Sequence, residues 1–318
     1  MQPFDYIAPQ DHAEASALLA DGDAAARAFM GGTDLLIRLR SGLIQPRRVV
    51  DLKALPGLRE IRLSDSSPPA APVAWLVIGA ACTMNQVAAH PLVRRDYSLL
   101  VQACNAVASY QLRNRATIGG NCCNASPAAD TAPALYCLDA MAEVYGPGGR
   151  RRIPIADFFV GPGQTALRKG EFLTAIHLPP PPAGAIGVFN KLGRTKVGDI
   201  ALVSVAVYCW MERPDRSSET CQVCWRIALG AVGPTPLRAR EAEDALAADS
   251  STAGTKRAAE LAAAAARPID DHRASAAYRR DMVRVLTRRG IETVLMLRAG
   301  SDARSPAGDQ PSLPGGPA

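Results

Sequence analysis

Two glycine pairs carry the chemistry this sequence offers. Residues 117–130 read TIGGNCCNASPAAD, with Gly119 and Gly120 between the β-prone Thr117 and Ile118 and the polar Asn121. Residues 28–36 read AFMGGTDLL, with Gly31 and Gly32 after the apolar Phe29 and Met30 and before Thr33, Asp34 and Leu35. A Gly-Gly pair reaches positive φ without a steric penalty and presents no Cβ. Its backbone N–H groups then approach a phosphate closely. Either pair alone reads as an ordinary turn. Two such loops suggest one diphosphate held from both sides, with the first donating from a helix start. The hydroxyls of Thr33 and Thr117 are further donors. A carboxylate at Asp34 repels a phosphate, so its expected role is to cap the following helix through backbone N–H groups. Asp130 is spaced to lie across the second loop from Asn121, and by itself reads as the cap of the helix pattern that follows.

Other chemistry-bearing residues are less organised. Cys221 and Cys224 have the CxxC spacing of a metal or redox pair, but no second pair or nearby His completes a four-ligand set. In a strand the two thiols point to opposite faces. Cys122 and Cys123 sit beside the second glycine pair with no assigned role. His12, His90, His177 and His272 are dispersed without metal spacing. No metal site is expected.

The elements that must position these groups follow from the pattern. Nearly half of the 318 residues are apolar and 5% are aromatic, so Ala, Leu, Val and Ile must fill the cores. Alternation predicts a strand in 4–9, then a helix over 11–20. Strands over 28–30 and 47–52 flank a helix ending near Arg40. A second unit has strands over 58–63 and 75–80 around a Pro/Ser-rich loop at 64–72, and helices over 84–89 and 98–108. After the second glycine pair come a helix over 131–138, a hairpin around Gly146-Pro147-Gly148-Gly149, and a strand over 171–178. The four prolines at 179–182 read as a linker or surface turn. Three β-rich runs at 187–192, 201–211 and 221–232 fit an antiparallel sheet. Helical patterns follow over 237–247, 255–266 and 275–297. Sheet first and helices after predict an α+β domain. Residues 299–318 lack periodicity and are expected to be disordered.

The net charge of +6 is scattered among arginines without an aromatic platform, which speaks against nucleic-acid binding. No apolar run is long enough for a transmembrane helix, and the N-terminus lacks a secretory pattern. A cytoplasmic location with reduced cysteines is expected.

In their order and spacing, GGTDLL and TIGGN resemble the FAD-binding medium subunit of molybdenum hydroxylases, the xanthine dehydrogenase and aerobic carbon monoxide dehydrogenase family. QLRNRATIGGN at 111–121, NASPAAD at 124–130, GPGQTALRKGEFLTAIHLP and FNKLGRTKVGDIALVSVAV extend the resemblance over about residues 3–297. The resemblance implies FAD subdomains at 1–56 and 57–178, a PCMH/VAO-type FAD fold, and a C-terminal α+β domain of the carbon monoxide dehydrogenase flavoprotein type at 179–298. It implies FAD contacts from residues 29–35 and 117–121, and from Val107, Asp130, Leu173 and Lys191. Some relatives hold a [4Fe–4S] cluster in a cysteine-bearing insertion after the second loop, and this chain has no such insertion. The loop 193–199 is expected near the flavin. The resemblance further implies a large partner subunit with molybdopterin and a small one with two [2Fe–2S] clusters, assembled as a dimer of heterotrimers. Electrons would pass from the clusters through FAD to an acceptor the sequence does not name. A stand-alone FAD oxidoreductase of the same fold class is the alternative, and it would need acid/base residues over the flavin that are not identifiable here.

Overall fold

The computed structural model describes residues 2–21, 26–64, 74–195, 197–212 and 221–302. The expected loop at 65–72, Lys196 and the segment 303–318 lie outside the described residues. Three sheets organise the chain. The first is parallel, in the order β1-β3-β2, from β1 (Asp5–Ile7), β2 (Ala26–Phe29) and β3 (Arg48–Asp51). Crossover segments with helices α1 (His12–Ala20) and α2 (Leu35–Arg40) connect the three strands. Asp11 starts α1 by accepting from the Glu14 N–H at 2.8 Å, as an N-cap carboxylate does.

The second sheet is antiparallel, in the order β4-β5-β10-β6-β7. Its strands are β4 (Ile61–Leu63), β5 (Leu76–Gly79), β6 (Met141–Gly146), β7 (Gly149–Pro154) and β10 (Phe172–Leu178). Six helices lie between β5 and β6: α3 (Met84–Ala89), α4 (Pro91–Asp96), α5 (Ser98–Ala106), α6 (Tyr110–Arg113), α7 (Ile118–Asn124) and α8 (Thr131–Cys137). After β7 come the single turn α9 (Ile155–Phe158) and a small ladder of β8 (Phe159–Gly161) with β9 (Gln164–Thr165). α4, α6, α7 and α9 were not expected from the sequence; α7 reads as a loop because its first turn is a glycine pair.

The third sheet is antiparallel, in the order β11-β12-β13-β14. It comprises β11 (Ile186–Leu192), β12 (Val203–Glu212), β13 (Gln222–Gly230) and β14 (Leu237–Arg238), followed by α10 (Arg240–Ala248), α11 (Thr252–Ala265) and α12 (Ala276–Asp302). The helical pattern expected from Leu237 therefore begins later, because Leu237 and Arg238 pair with β13. For residues 299–302 the expected disorder is also corrected. α12 continues through Gly300 to Asp302 as one helix of 27 residues.

One apolar core joins the first two sheets and their helices, and a second fills the space between the third sheet and α10–α12. Small side chains make the second core possible. Ala258, Ala262 and Ala263 of α11 are buried at helical spacing against Leu246, Ile291 and Val294. No described helix is long and apolar enough to cross a membrane.

Candidate functional site

Segments remote in sequence converge on one cleft of about 480 Å³. It is lined by the turn between β2 and α2, the end of α5, the run from α6 through α7, and the approach to β10.

The β2–α2 turn shows why its residues are glycines. Gly32 has φ +73°, the left-handed region where an L side chain is strained. Gly31 does not need that region. A Cβ on Gly31 would lie 2.2 Å from the Arg115 carbonyl oxygen, so Gly31 lets this turn pack directly on the segment leading into α7. Among the described residues none accepts a hydrogen bond from the N–H groups of Gly31, Gly32, Thr33 or Asp34. These four consecutive donors remain available to an anion. The expected Asp34 cap is corrected: Asp34 occupies the cap position of α2, but its carboxylate makes no capping bond.

The second glycine pair also departs from expectation. Gly119 and Gly120 have no positive φ and form the first turn of α7. Thr117 caps this helix, its Oγ1 accepting from the Gly120 N–H at 3.0 Å. The N–H groups of Ile118 and Gly119 donate to the carbonyls of Cys82 and Ala80 at 3.0 and 2.9 Å. A good N-cap residue winds the segment into helix, and the neighbouring chain consumes two of its donors. The glycines act by shape instead. A Cβ on Gly119 would lie 2.6 Å from the Ala80 carbonyl oxygen, whereas one on Gly120 would meet only Thr117 Oγ1, at 2.8 Å. Gly120 is thus the glycine whose missing Cβ leaves room in the cleft.

Asn121 is held in place from α8, with Thr131 Oγ1 donating to Asn121 Oδ1 at 2.6 Å. Val107, Ala108, Leu112, Leu167, Phe172 and Leu173 supply an apolar wall. Cys123 also reaches the cleft, and burial pushes its thiol up to about 12. It is therefore a neutral thiol at physiological pH, with little thiolate to act as a nucleophile.

Of the residues singled out from sequence, Met30, Gly31, Gly32, Thr33, Asp34, Leu35, Val107, Thr117, Gly119, Gly120, Asn121 and Leu173 line the cleft. Phe29, Ile118, Asp130 and Lys191 do not. The Phe29 ring packs edge-on to Tyr6 with the Lys53 ammonium 3.8 Å from its centroid. Ile118 is wholly buried. Asp130 does not cap α8 as expected, because its Oδ2 is taken by Lys191 Nζ at 2.7 Å. Lys191 Nζ also donates to the Ala106 carbonyl at 2.9 Å. Burial pushes the Asp130 carboxyl up to about 6 against the pull of Lys191. Its Oδ1 is buried without a hydrogen-bond partner among the described residues.

Sequence reasoning missed several lining residues, among them Arg27, Arg38, Ala108, Leu112 and Cys123. Arg38 was within reach, since it lies one helical turn beyond Asp34. Ala108 gave no signal, because its φ of +41° is a conformation that sequence assigns to glycine.

Comparison with known proteins gives this cleft a context. Residues 2–181 match the model of the FAD binding domain in molybdopterin dehydrogenase. Residues 188–294 match that of the CO dehydrogenase flavoprotein C-terminal domain. The chain is 32% identical over 290 residues to a putative xanthine dehydrogenase FAD-binding subunit of Escherichia coli K12, covering 91% of this chain and 94% of that protein. It is 34% identical to the carbon monoxide dehydrogenase medium chain of Afipia carboxidovorans, covering 91% and 96%. A crystal structure of Cu,Mo-CO dehydrogenase superposes with a TM-score of 0.82 at 33% identity, covering 92% of this chain and 99% of that one. Quinoline 2-oxidoreductase from Pseudomonas putida 86 superposes at 0.81 with 31% identity, covering 93% and 98%. With matching family models over both parts of the chain and relatives of similar length, the chain belongs to the FAD-binding subunits of the molybdenum hydroxylase family.

Proposed function

We propose that this chain is the electron-transferring FAD subunit of a three-component molybdenum hydroxylase. It would take electrons from the [2Fe–2S] clusters of a small partner and deliver them to a terminal acceptor, while a large molybdopterin-bearing partner oxidises substrate. The observation that carries the binding assignment is the set of four N–H groups at Gly31–Asp34 without a protein acceptor, opening on a cleft with an apolar far wall. That combination suits a ligand with a diphosphate at its middle and a flat ring system at one end.

Residues 31–34 would hold the diphosphate with backbone donors, and Thr117 and Asn121 would face it from α7. The missing Cβ of Gly120 leaves it space. Val107, Leu173 and their apolar neighbours would exclude water from the ring. Asp130 and Lys191 would act at the edge of the site, with Asp130 Oδ1 still able to accept a hydroxyl. Bound FAD supplies exchange between one-electron and two-electron carriers. Residues 1–56, 57–178 and 179–298 would be the three units that share the site, in a cytoplasmic dimer of heterotrimers. An iron–sulfur cluster needs several convergent thiolates. Among the described residues no three His, Cys, Asp or Glu side chains are grouped to hold a metal, so this reading places the clusters on a partner.

The test is anaerobic. The complete complex stripped of FAD should still bleach its cluster absorbance when given substrate, and turnover with the acceptor should return only with FAD. Loss of cluster bleaching on flavin removal would place FAD before the clusters and overturn the order.

A further inference from the structure

The apolar wall of the cleft contains a backbone that does not hold itself. α5 ends at Ala106, and the chain turns through Val107 to Ala108, whose φ of +41° is unfavourable for a residue with a Cβ. Both Val107 and Ala108 line the cleft. The last carbonyls of a helix lack intrahelical donors, and here two cations take three successive ones. Lys191 Nζ donates to the Ala106 carbonyl at 2.9 Å. Arg113 Nη1 donates to the carbonyls of Val107 at 2.9 Å and Ala108 at 3.3 Å.

Arg113 is itself braced. Its Nε donates to Asn85 Oδ1 at 3.2 Å. The Asn85 amide in turn donates to the Tyr110 carbonyl at 3.1 Å and to Asn114 Oδ1 at 2.7 Å, at the two ends of α6. α6 leads directly to Ala116, whose carbonyl accepts from the Met84 N–H at 2.9 Å, and then to the Thr117 cap. One guanidinium therefore ties the wall at 107–108 to the element that delivers α7. Lysine has a single donor centre and could not serve both carbonyls and Asn85 in this way.

We propose that Arg113 is a positioning residue for the flavin nucleotide: it holds the Val107–Ala108 wall in its left-handed turn and in register with α7. The inference rests on the reading of the cleft as the FAD site. Arg113 does not line the cleft, so its effect must pass through the backbone it holds.

The experiment measures FAD affinity and visible flavin circular dichroism in wild type, Arg113→Met, Arg113→Lys and Arg94→Met, with thermal unfolding of each apo-protein. Arg113→Met should weaken FAD binding about tenfold or more, as expected when part-buried hydrogen bonds from a charged group to two carbonyls and an amide are lost together, and should change the flavin dichroism. Arg113→Lys should fall between it and wild type. Arg94→Met, an exposed change outside the cleft lining, should match wild type. The specific readout is the double variant Arg113→Met with Ala108→Gly. Glycine adopts the left-handed turn freely, so it should restore part of the lost affinity and the wild-type dichroism beyond what its effect on the apo-protein melt accounts for. Wild-type affinity and dichroism in Arg113→Met, or no recovery with Ala108→Gly, would overturn the inference. If Arg113→Met does not fold, Arg113→Lys decides, and wild-type affinity there would refute it. Failure of the wild-type chain to bind FAD would instead refute the reading of the cleft.

Discussion

Replacing each of two glycines by alanine separates the two kinds of work that the glycine pairs do. At Gly31 a new Cβ would lie 2.2 Å from the Arg115 carbonyl oxygen, 3.1 Å from its carbon and 3.2 Å from the Ala116 Cα. An ordinary C···O approach is about 3.3 Å or more, so the two backbones must part by roughly 1 Å. No side chain can yield instead, because all three neighbours are main chain. Overpacking of this kind costs about 1–3 kcal/mol. At about 2–4 °C per kcal/mol for a chain of this order, the apo-protein should melt some 2–12 °C lower. At Gly120 the alanine Cβ meets only Thr117 Oγ1, at 2.8 Å. Helix propensity gains about 0.5–1 kcal/mol there, while disturbing the Thr117 cap loses about the same. The apo-protein should therefore melt near the wild-type temperature. Its FAD affinity should still fall by about tenfold or more, since the methyl occupies cleft volume and 1.4 kcal/mol suffices for that factor. Thermal melts of both apo-proteins and FAD titration followed by flavin fluorescence decide the matter. A wild-type melt for Gly31→Ala would refute the backbone contact. Wild-type FAD affinity for Gly120→Ala would refute the placement of α7 against the ligand.

Three further outcomes are expected. Asp130 has a folded pKa raised to about 6, so the folded state holds its proton more tightly than the unfolded chain does. Its contribution to stability is present below the unfolded value near 4 and is lost as pH rises through about 6. Denaturant titrations at several pH values should show that slope in wild type and its absence in Asp130→Asn. Glu143 behaves oppositely: His177 at 3.1 Å and Arg150 at 2.7 Å hold its carboxyl down to about 2. Its contribution is present above the unfolded value near 4.5 and is lost as pH falls towards 2, and Glu143→Gln should remove this acid sensitivity. Finally, acid precipitation should release all flavin to the supernatant, because the Cys123 thiol in the cleft is kept protonated. Flavin retained in the pellet of wild type but not of Cys123→Ser would show a covalent link.

The sequence made some of this site legible, and the physical reasons for the rest are specific. The third sheet was readable because long strands such as Val203–Glu212 show period-two or continuous apolar runs. Gly32 was readable as a positive-φ residue, because turn chemistry is local. The second glycine pair was misread because identical dipeptides serve different ends. What makes Gly119 necessary is the Ala80 carbonyl, which is remote in sequence. Which N–H groups stay free was equally hidden. The donors of Ile118 and Gly119 are spent on Cys82 and Ala80, a pairing set by tertiary approach. Asp130 looked like a helix cap for the same reason: nothing local reveals that Lys191 comes in from another sheet to claim it.

That lysine shows how the third sheet takes part in a site whose cleft it does not line. α8 is only seven residues long, and an acid stands just beyond each end. Asp130, before its first turn, is bound by Lys191 of β11. Asp139, after its last, is bound by Arg226 of β13 and lies 3.6 Å from Arg238 of β14. Arg238 is fixed in turn by two hydrogen bonds to the buried Glu243 of α10, at 2.6 and 2.7 Å. The helix is thus tied to the third sheet at both ends, while from its first residue Thr131 positions Asn121. Lys191 also secures the carbonyl at the end of α5, beside the cleft wall. A displacement of the third sheet would therefore reach the cleft through both Asn121 and the 106–108 turn. Ion pairs thus hold both ends of α8 at the seam between the two apolar cores.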